Sequence, residues 1–245
     1  TPAGTYSFDY QICEALNPTN CKTATISVTV DAAPVVATAD TATAINGATG
    51  EPSALNLFNG DTVGGAPATA ANATLSLAPG ATLPSQLTFN PATGVVGVNA
   101  GTPAGTYSFD YQICETLNPT NCKTATASVT VDPSPLTATN DSVTGISGVS
   151  GGTAVVNAFT SDLVNGVAAS PSNAVLSLAT GSSVPSGLTF NTATGNVDVA
   201  AGTPAGTYSF DYQICEALNP TNCKTATISV TVDAAPVVAT ADTAT

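Results

Sequence analysis

The chain of 245 residues contains no His, Met or Trp, and it sets only three cationic side chains against 16 Asp and Glu. The cations are Lys22, Lys123 and Lys224. The formal net charge is −13, and a surface of this sign does not neutralise phosphates. The balance therefore argues against nucleic-acid binding and against attraction to an anionic membrane.

Long apolar runs are also missing, since no stretch reaches the length of a membrane-spanning helix, so no membrane insertion of this segment is predicted. Only 8% of the residues are charged but 43% are hydrophobic, which predicts a folded chain. A Ser, Thr or Cys nucleophile needs an adjacent base, and there is no His to serve as one. The sequence therefore predicts a protein that is not an enzyme and that has no organic cofactor.

Internal repetition dominates the sequence. Residues 1–43 and 203–245 are identical, and 27 of 29 positions agree between 1–29 and 102–130. The period is thus 101 residues, and we interpret the chain as part of a longer tandem array. The predicted divisions are a C-terminal hairpin of an incomplete repeat (1–33), two repeats (34–134 and 135–235) and the first strand of a further repeat (236–245).

Within one repeat, short apolar runs alternate with turns rich in Gly, Pro, Asn and Asp. Seven strands are predicted, at 35–39, 53–58, 73–78, 86–90, 94–98, 106–114 and 122–131. No stretch has a helical period. About seven strands in some 100 residues favour an all-β fold, a chain of tandem immunoglobulin-like β-sandwiches.

The last two strands of each repeat predict a hairpin with a fixed register. Tyr6, Phe8 and Tyr10 share one face, while Cys13 lies on the other. Pairing Cys13 with Cys21 sets every inward residue against an inward partner. The simplest reading is three disulfides, Cys13–Cys21, Cys114–Cys122 and Cys215–Cys223. A metal site is the alternative, but it needs more ligands than one cysteine pair supplies.

The segment "LPSQLTFNPATGVVGVNAGTPAGTYSFDYQI" (83–113) resembles the immunoglobulin-like repeats of bacterial surface proteins. "YQICEALNPTNCKTATISVTV" (10–30) is similar to repeats of very large secreted proteins of Gram-negative bacteria, and "LFNGDTVGG" (57–65) resembles a turn of cadherin-like bacterial repeats. The resemblance implies β-sandwich modules at a bacterial cell surface or outside the cell. Such repeats serve as stalks, spacers or adhesive modules.

Calcium is the one inorganic cofactor that the pattern allows, because the cadherin-like resemblance implies calcium at the joints and calcium prefers carboxylate and carbonyl oxygens. The candidate ligands lie at the predicted joints and in loops: Asp31, Asp40, Asp61, Asp132, Asp141 and Asp162. Turn capping by the same side chains is the alternative interpretation.

Strand alternation predicts that each lysine faces the core, at the same end of the hairpin as a glutamate. We expect three semi-buried ion pairs, Glu14–Lys22, Glu115–Lys123 and Glu216–Lys224. The alternative is a covalent bond, an intramolecular isopeptide between Lys22 and an Asn.

These observations predict a structural segment of an extracellular bacterial surface fibre or adhesin stalk that self-associates. Short junctions such as "DAAP" (31–34) favour a semi-rigid rod. The alternative function is a repeated adhesive module that binds a glycan or a host surface, with or without calcium. A glycan or protein ligand elsewhere in a longer chain is compatible with either function.

Overall fold

A computed structural model describes residues 1–242, and these residues form strands, turns and loops without any helix. The chain divides into two units, Thr1–Asp132 and Pro133–Thr245. Because there is no helix in this range, no helix of membrane-spanning length and hydrophobicity occurs in it. The all-β prediction is confirmed.

The first unit begins with a two-stranded hairpin of β1 (Gly4–Cys13) and β2 (Cys21–Val30). Tyr6 lies opposite Val28 and Cys13 opposite Cys21, which confirms the predicted register. Its aromatic face is exposed, with Phe8 60% accessible.

Ten further strands complete the first unit: β3 (Val35–Val36), β4 (Asp40–Asn46), β5 (Glu51–Asn56), β6 (Thr62–Val63), β7 (Ala66–Pro67), β8 (Ala73–Leu77), β9 (Leu87–Phe89), β10 (Val95–Val98), β11 (Gly105–Glu115) and β12 (Asn118–Asp132). They form a four-stranded sheet β4-β12-β11-β8, a three-stranded sheet β5-β10-β9 and a small sheet β3-β6-β7. The two larger sheets have the strand order of an immunoglobulin-like sandwich. Its first long strand, β4, runs parallel to its last, β12.

The second unit repeats this plan strand for strand: β13 (Leu136–Thr137), β14 (Asp141–Ser147), β15 (Gly152–Asn157), β16 (Leu163–Val164), β17 (Val167–Ala168), β18 (Ala174–Leu178), β19 (Leu188–Phe190), β20 (Asn196–Val199), β21 (Gly206–Glu216) and β22 (Cys223–Asp233). Its sheets are β14-β22-β21-β18, β15-β20-β19 and β13-β16-β17. Here too the first long strand is parallel to the last.

The core of each unit lies between the sheets and uses the predicted hairpin face. Tyr111 and Ile113 are fully buried, as is Val129 on the neighbouring strand. Phe109 packs against Phe89 of the facing sheet, with 5.8 Å between the ring centroids. Alternation along the two long strands therefore sets which residues enter the core.

The structure departs from the predicted strand pattern in three places. The strand predicted at 35–39 ends at Val36, and β4 follows as a separate strand at Asp40–Asn46. The β6–β7 hairpin lies between the strands predicted at 53–58 and 73–78, where the sequence predicts no strand. From the predicted strand at 236–245, residues 236–242 are not in a strand, and residues 243–245 lie outside the described range.

A bulge interrupts the pairing of β4 with β12, since Val129 pairs with Ala42 while Val131 pairs with Ile45. Ala44 lies in this bulge with φ = 59°, a conformation that favours glycine. The equivalent residue of the second repeat is Gly145, with φ = 80°. The second repeat therefore has the better-suited residue at this position.

Candidate functional site: two acidic clusters at the start of each repeat

Three disulfides close the long hairpins: Cys13–Cys21, Cys114–Cys122 and Cys215–Cys223. These are the pairs that the hairpin register predicts. Cys114 was expected to face outward, and it does alternate with inward Ile113. It is nevertheless only 6% exposed, since it lies between Cys122 on one side and Thr74 of β8 on the other.

Just beyond the second and third disulfides, a buried glutamate, Glu115 or Glu216, holds the chain where the repeat starts. In the second unit the carboxylate of Glu216, 2% exposed, accepts a hydrogen bond from the Ser134 backbone N–H at 3.0 Å and from the Ser134 hydroxyl at 2.6 Å. The amide nitrogen of Asn222 donates both to this carboxylate, at 3.0 Å, and to the Ser134 carbonyl, at 2.7 Å. We call Glu216, Asn222 and Ser134 the clamp of this repeat.

The first unit has the same clamp with one bond fewer. Glu115 accepts from the Ala33 N–H at 3.0 Å and from Asn121 at 2.9 Å, and Asn121 also donates to the Ala33 carbonyl at 2.6 Å. Alanine has no hydroxyl to match that of Ser134. In the N-terminal hairpin, Glu14 accepts only from the loop residues Asn17 and Asn20.

The pKa values of the two buried glutamates are consistent with these contacts. Burial alone would raise the pKa of Glu216, but the hydrogen bonds from Ser134, Asn219 and Asn222 outweigh it and the pKa is lowered. Hydrogen bonds from Asn121 and Asn118 lower the pKa of Glu115. Both glutamates are thus held as carboxylates.

The predicted ion pairs Glu14–Lys22, Glu115–Lys123 and Glu216–Lys224 are replaced by these asparagine contacts. Lys123 lies opposite Ile113 in the register and is exposed, while the pairing shifts between Cys114 and Glu115. Beyond this shift the Glu115 carboxylate contacts Ala33 at the start of the repeat. Lys22, the residue of the isopeptide alternative, is exposed.

A second cluster lies deeper in each repeat, around a tyrosine hydroxyl. The Tyr111 oxygen is 2.8 Å from Asp40 Oδ2, 3.0 Å from Asp61 Oδ2 and 2.9 Å from the Thr38 carbonyl oxygen. The other oxygen of Asp61 accepts from the Thr38 N–H at 2.7 Å and from its hydroxyl at 3.0 Å. Asp61 is 1% exposed. We call this group the tyrosine–aspartate cluster.

The second unit reproduces the cluster. The Tyr212 oxygen is 3.1 Å from Asp141 Oδ2, 2.8 Å from Asp162 Oδ2 and 3.2 Å from the Thr139 carbonyl oxygen. Asp162 Oδ1 accepts from the Thr139 N–H at 2.7 Å. Asp141 and Asp162 are 7% and 0% exposed. Asp61 and Asp162 precede β6 and β16, while Asp40 and Asp141 begin β4 and β14, so two separate segments bring each pair together.

Of the six aspartates predicted as calcium ligands, the structure brings four together as two pairs, Asp40 with Asp61 and Asp141 with Asp162. Asp31 and Asp132 are exposed at strand ends and join neither pair. Within residues 1–242, no group of three or more His, Cys, Asp or Glu is arranged to hold a metal ion. The polar contacts of each pair come from a tyrosine and a threonine of its own repeat.

Sequence reasoning missed the tyrosine, threonine and asparagine partners of both clusters. Strand alternation alone places Tyr111 in the core, but buried tyrosines usually carry a hydrogen bond as well. The predicted strand begins at residue 122, so the sequence places Asn121 in a turn, where asparagine is common, and nothing there indicates a contact with Glu115. In the structure Asn121 lies in β12.

Neither family models nor curated proteins match this chain. Among solved structures, it is similar to extracellular cadherin domains 3–6 of protocadherin gamma B2 (10% identity, TM-score 0.36, covering 94% of this chain and 59% of that one). It is also similar to the human desmocollin-1 ectodomain (12%, 0.35, 91% and 47%) and to mouse cadherin-23 EC22–24 (12%, 0.34, 94% and 74%). This chain thus spans about half the length of the first two structures. At these identities and TM-scores the likeness carries no argument about function. The strand order itself identifies tandem β-sandwich repeats, each with an internal disulfide.

Proposed function

We propose that this chain is a structural segment of an extracellular fibre or surface stalk, in which tandem β-sandwiches give length and resist tension. Its disulfides support an extracellular setting, since structural disulfides persist in oxidising compartments and are rare in the cytosol. The resemblance of residues 83–113 to bacterial surface repeats supports a bacterial cell surface as the place.

One observation carries this proposal: in each repeat the first long strand lies parallel and adjacent to the last. Tension on a tandem chain acts on a repeat at the start of β4 and at the end of β12. Because the two strands are parallel, these points lie at opposite ends of the pair. Pulling therefore shears the ladder and strains its hydrogen bonds together, whereas an antiparallel pair pulled from one end would open bond by bond.

The two acidic clusters reinforce the same end of the repeat. Glu216 holds Ser134, and Asp162 holds Thr139, both of which precede β14 (Asp141–Ser147). Tension that reaches β14 must first break these contacts. The clamp and the tyrosine–aspartate cluster thus protect the parallel pair from peeling at its N-terminal end.

Single-molecule force spectroscopy of the whole chain, held at its ends, tests the proposal. We expect two main unfolding events, each releasing about 30 nm, because a repeat has 101 residues and the disulfide excludes its loop from extension. Reduction should lengthen each event by roughly 3 nm. Extension of both repeats without a resolved force peak would refute a role in resisting tension. Electron microscopy of native material would show whether copies associate into fibres, and glycan-array binding would favour the adhesive alternative.

A further inference from the structure

The tyrosine–aspartate cluster contains more acceptors than its hydrogens can satisfy if both aspartates are ionised. Tyr111 has one hydroxyl hydrogen, yet its oxygen lies within 3.0 Å of three oxygens. That hydrogen can serve one of the two carboxylates, and the other would then face the hydroxyl oxygen lone pair to lone pair. The contacts of the Tyr111 oxygen with Asp40 at 2.8 Å and with Asp61 at 3.0 Å each require a hydrogen, and the tyrosine supplies only one of the two.

The surroundings determine which aspartate carries the extra hydrogen. Asp61 Oδ1 already accepts from the N–H and the hydroxyl of Thr38, and these two donors stabilise its ionised form. Tyr111 is the hydrogen-bond partner that the structure shows for Asp40. These contacts single out Asp40 as the place for the extra hydrogen, and the same contacts single out Asp141 in the second repeat.

We propose that each repeat stores one proton on the aspartate that begins its first long strand. Protonated Asp40 donates to the Tyr111 oxygen, and the Tyr111 hydroxyl donates to the ionised Asp61. This relay ties the start of β4 to the loop before β6 through the core strand β11. Loss of the proton sets two carboxylates against one hydroxyl and loosens the start of the repeat. The cluster is thus a pH-sensitive latch that is tighter in acid.

Burial and charge around the latch act in the same direction. Burial raises the pKa of Asp40, and the charge of Asp61 adds to this against the lowering effect of the Tyr111 hydrogen bond. In the second repeat, burial raises the pKa of Asp141 to about 6; the Tyr212 hydrogen bond lowers it and the Asp162 charge raises it. The charged and titratable groups that act on the protonated aspartate are therefore the second aspartate, from the loop before β6 or β16, and the tyrosine, from β11 or β21.

The sign of the pH dependence follows from these pKa values. A folded-state pKa above the unfolded value means that the folded protein binds more protons in the interval between them. The latch therefore contributes its full stability below about pH 4 and loses it as the pH rises through about 6 in the second repeat.

Carbon-13 NMR of the aspartate carboxyl groups in the intact chain tests the latch directly. We expect the Asp40 and Asp141 carboxyl carbons to titrate above about pH 4, the ordinary value for aspartate. Midpoints for Asp40 and Asp141 at or below about 4 would overturn the proposal, and this readout does not depend on any variant.

Thermal unfolding of a matched pair of double variants provides the second test. In D40N/D141N the amide replaces the protonated carboxyl, so the melting temperature should change much less between about pH 5 and about pH 7.5 than in the wild type. The control D110N/D211N removes the same number of carboxyls from exposed positions and should keep the wild-type dependence. Equal pH dependence in both variants would contradict the latch. Excess calcium chloride at about pH 7.5 separates a cation site from a proton site, because calcium-induced shifts of the Asp40 and Asp141 carboxyl carbons would overturn the proposal.

Discussion

Replacing Glu216 with alanine should destabilise the second repeat far more than the same change at Glu14. The two glutamates lie in identical sequence, because residues 1–43 repeat as 203–245. Glu216 is 2% exposed and holds Ser134 and Asn222, whereas Glu14 is exposed and contacts only its own loop. Comparing E216A with E14A thus separates the effect of the clamp from the effect of replacing a glutamate in this sequence.

The expected magnitude follows from the groups that lose their acceptor. In E216A the buried backbone N–H of Ser134 and a partly buried N–H of Asn222 lose the carboxylate as their acceptor. Each such group costs about 1–3 kcal/mol, so the free energy of unfolding of this repeat should fall by about 3–4 kcal/mol. E216Q keeps one acceptor oxygen and should lose roughly half as much.

Urea unfolding followed by tyrosine fluorescence and near-UV circular dichroism measures this loss, since the chain has no Trp. The transition of the second repeat should shift by on the order of 1–2 M urea in E216A. In E14A the transitions should stay where they are in the wild type. An unchanged midpoint in E216A, or an equal shift in both variants, would refute the clamp.

Three further predictions use differences within the chain. Ala44→Gly should stabilise the first repeat by roughly 0.5–1 kcal/mol, and Gly145→Ala should destabilise the second by about 1–2 kcal/mol. The reason is that both residues have a left-handed backbone conformation, which is unfavourable for a residue with a side chain. Urea midpoints that move in the opposite directions would contradict this. Ser134→Ala removes the 2.6 Å hydroxyl bond and should cost about 1 kcal/mol in the same assay, whereas an unchanged midpoint would show that this bond contributes nothing. Changing Cys114 and Cys122 to serine should cost the first repeat roughly 2–3 kcal/mol, and calorimetry should show a lower melting temperature for that repeat alone.

The two pH-dependent clusters act in opposite directions. The lowered pKa of Glu216 means that the clamp is present above the ordinary glutamate pKa and is lost as the pH falls through the folded value. The latch weakens as the pH rises through about 6. The second repeat should therefore be most stable between these limits, in mildly acidic solution.

The long hairpins could be predicted from the sequence because their information is local. Tyr6, Phe8 and Tyr10 alternate with polar residues, and Cys13 and Cys21 fix the register only eight positions apart. Alternation of this kind determines both the faces and the pairing of two strands joined by a short loop.

Strand β4 could not be predicted in the same way. Its sequence "DTATAIN" (40–46) has little apolar alternation, and it forms a strand because it pairs with β12, whose matching residues lie more than 80 positions later. The bulge at Ala44 further disturbs the period. Tertiary pairing overrode local propensity here.

The clusters illustrate the same limit. The calcium prediction selected aspartates by their closeness to the joints, but the structure groups Asp40 with Asp61 through Tyr111, which lies 71 and 50 positions away from them. The ion-pair prediction extended strand parity to Glu115, where the register has already shifted. A change of one residue in register moves a side chain to the other face.

The cross-strand disulfides restrict how neighbouring repeats can misfold. Sequences this alike invite exchange, because a strand made for one sandwich fits the next equally well. Once the two cysteines of a hairpin are joined, however, neither of its two long strands can leave the sandwich without the other. A single strand from a neighbouring repeat then cannot replace one of them, because that position is already filled. Disulfide formation soon after each hairpin folds would thus prevent the exchange of single strands between neighbouring repeats.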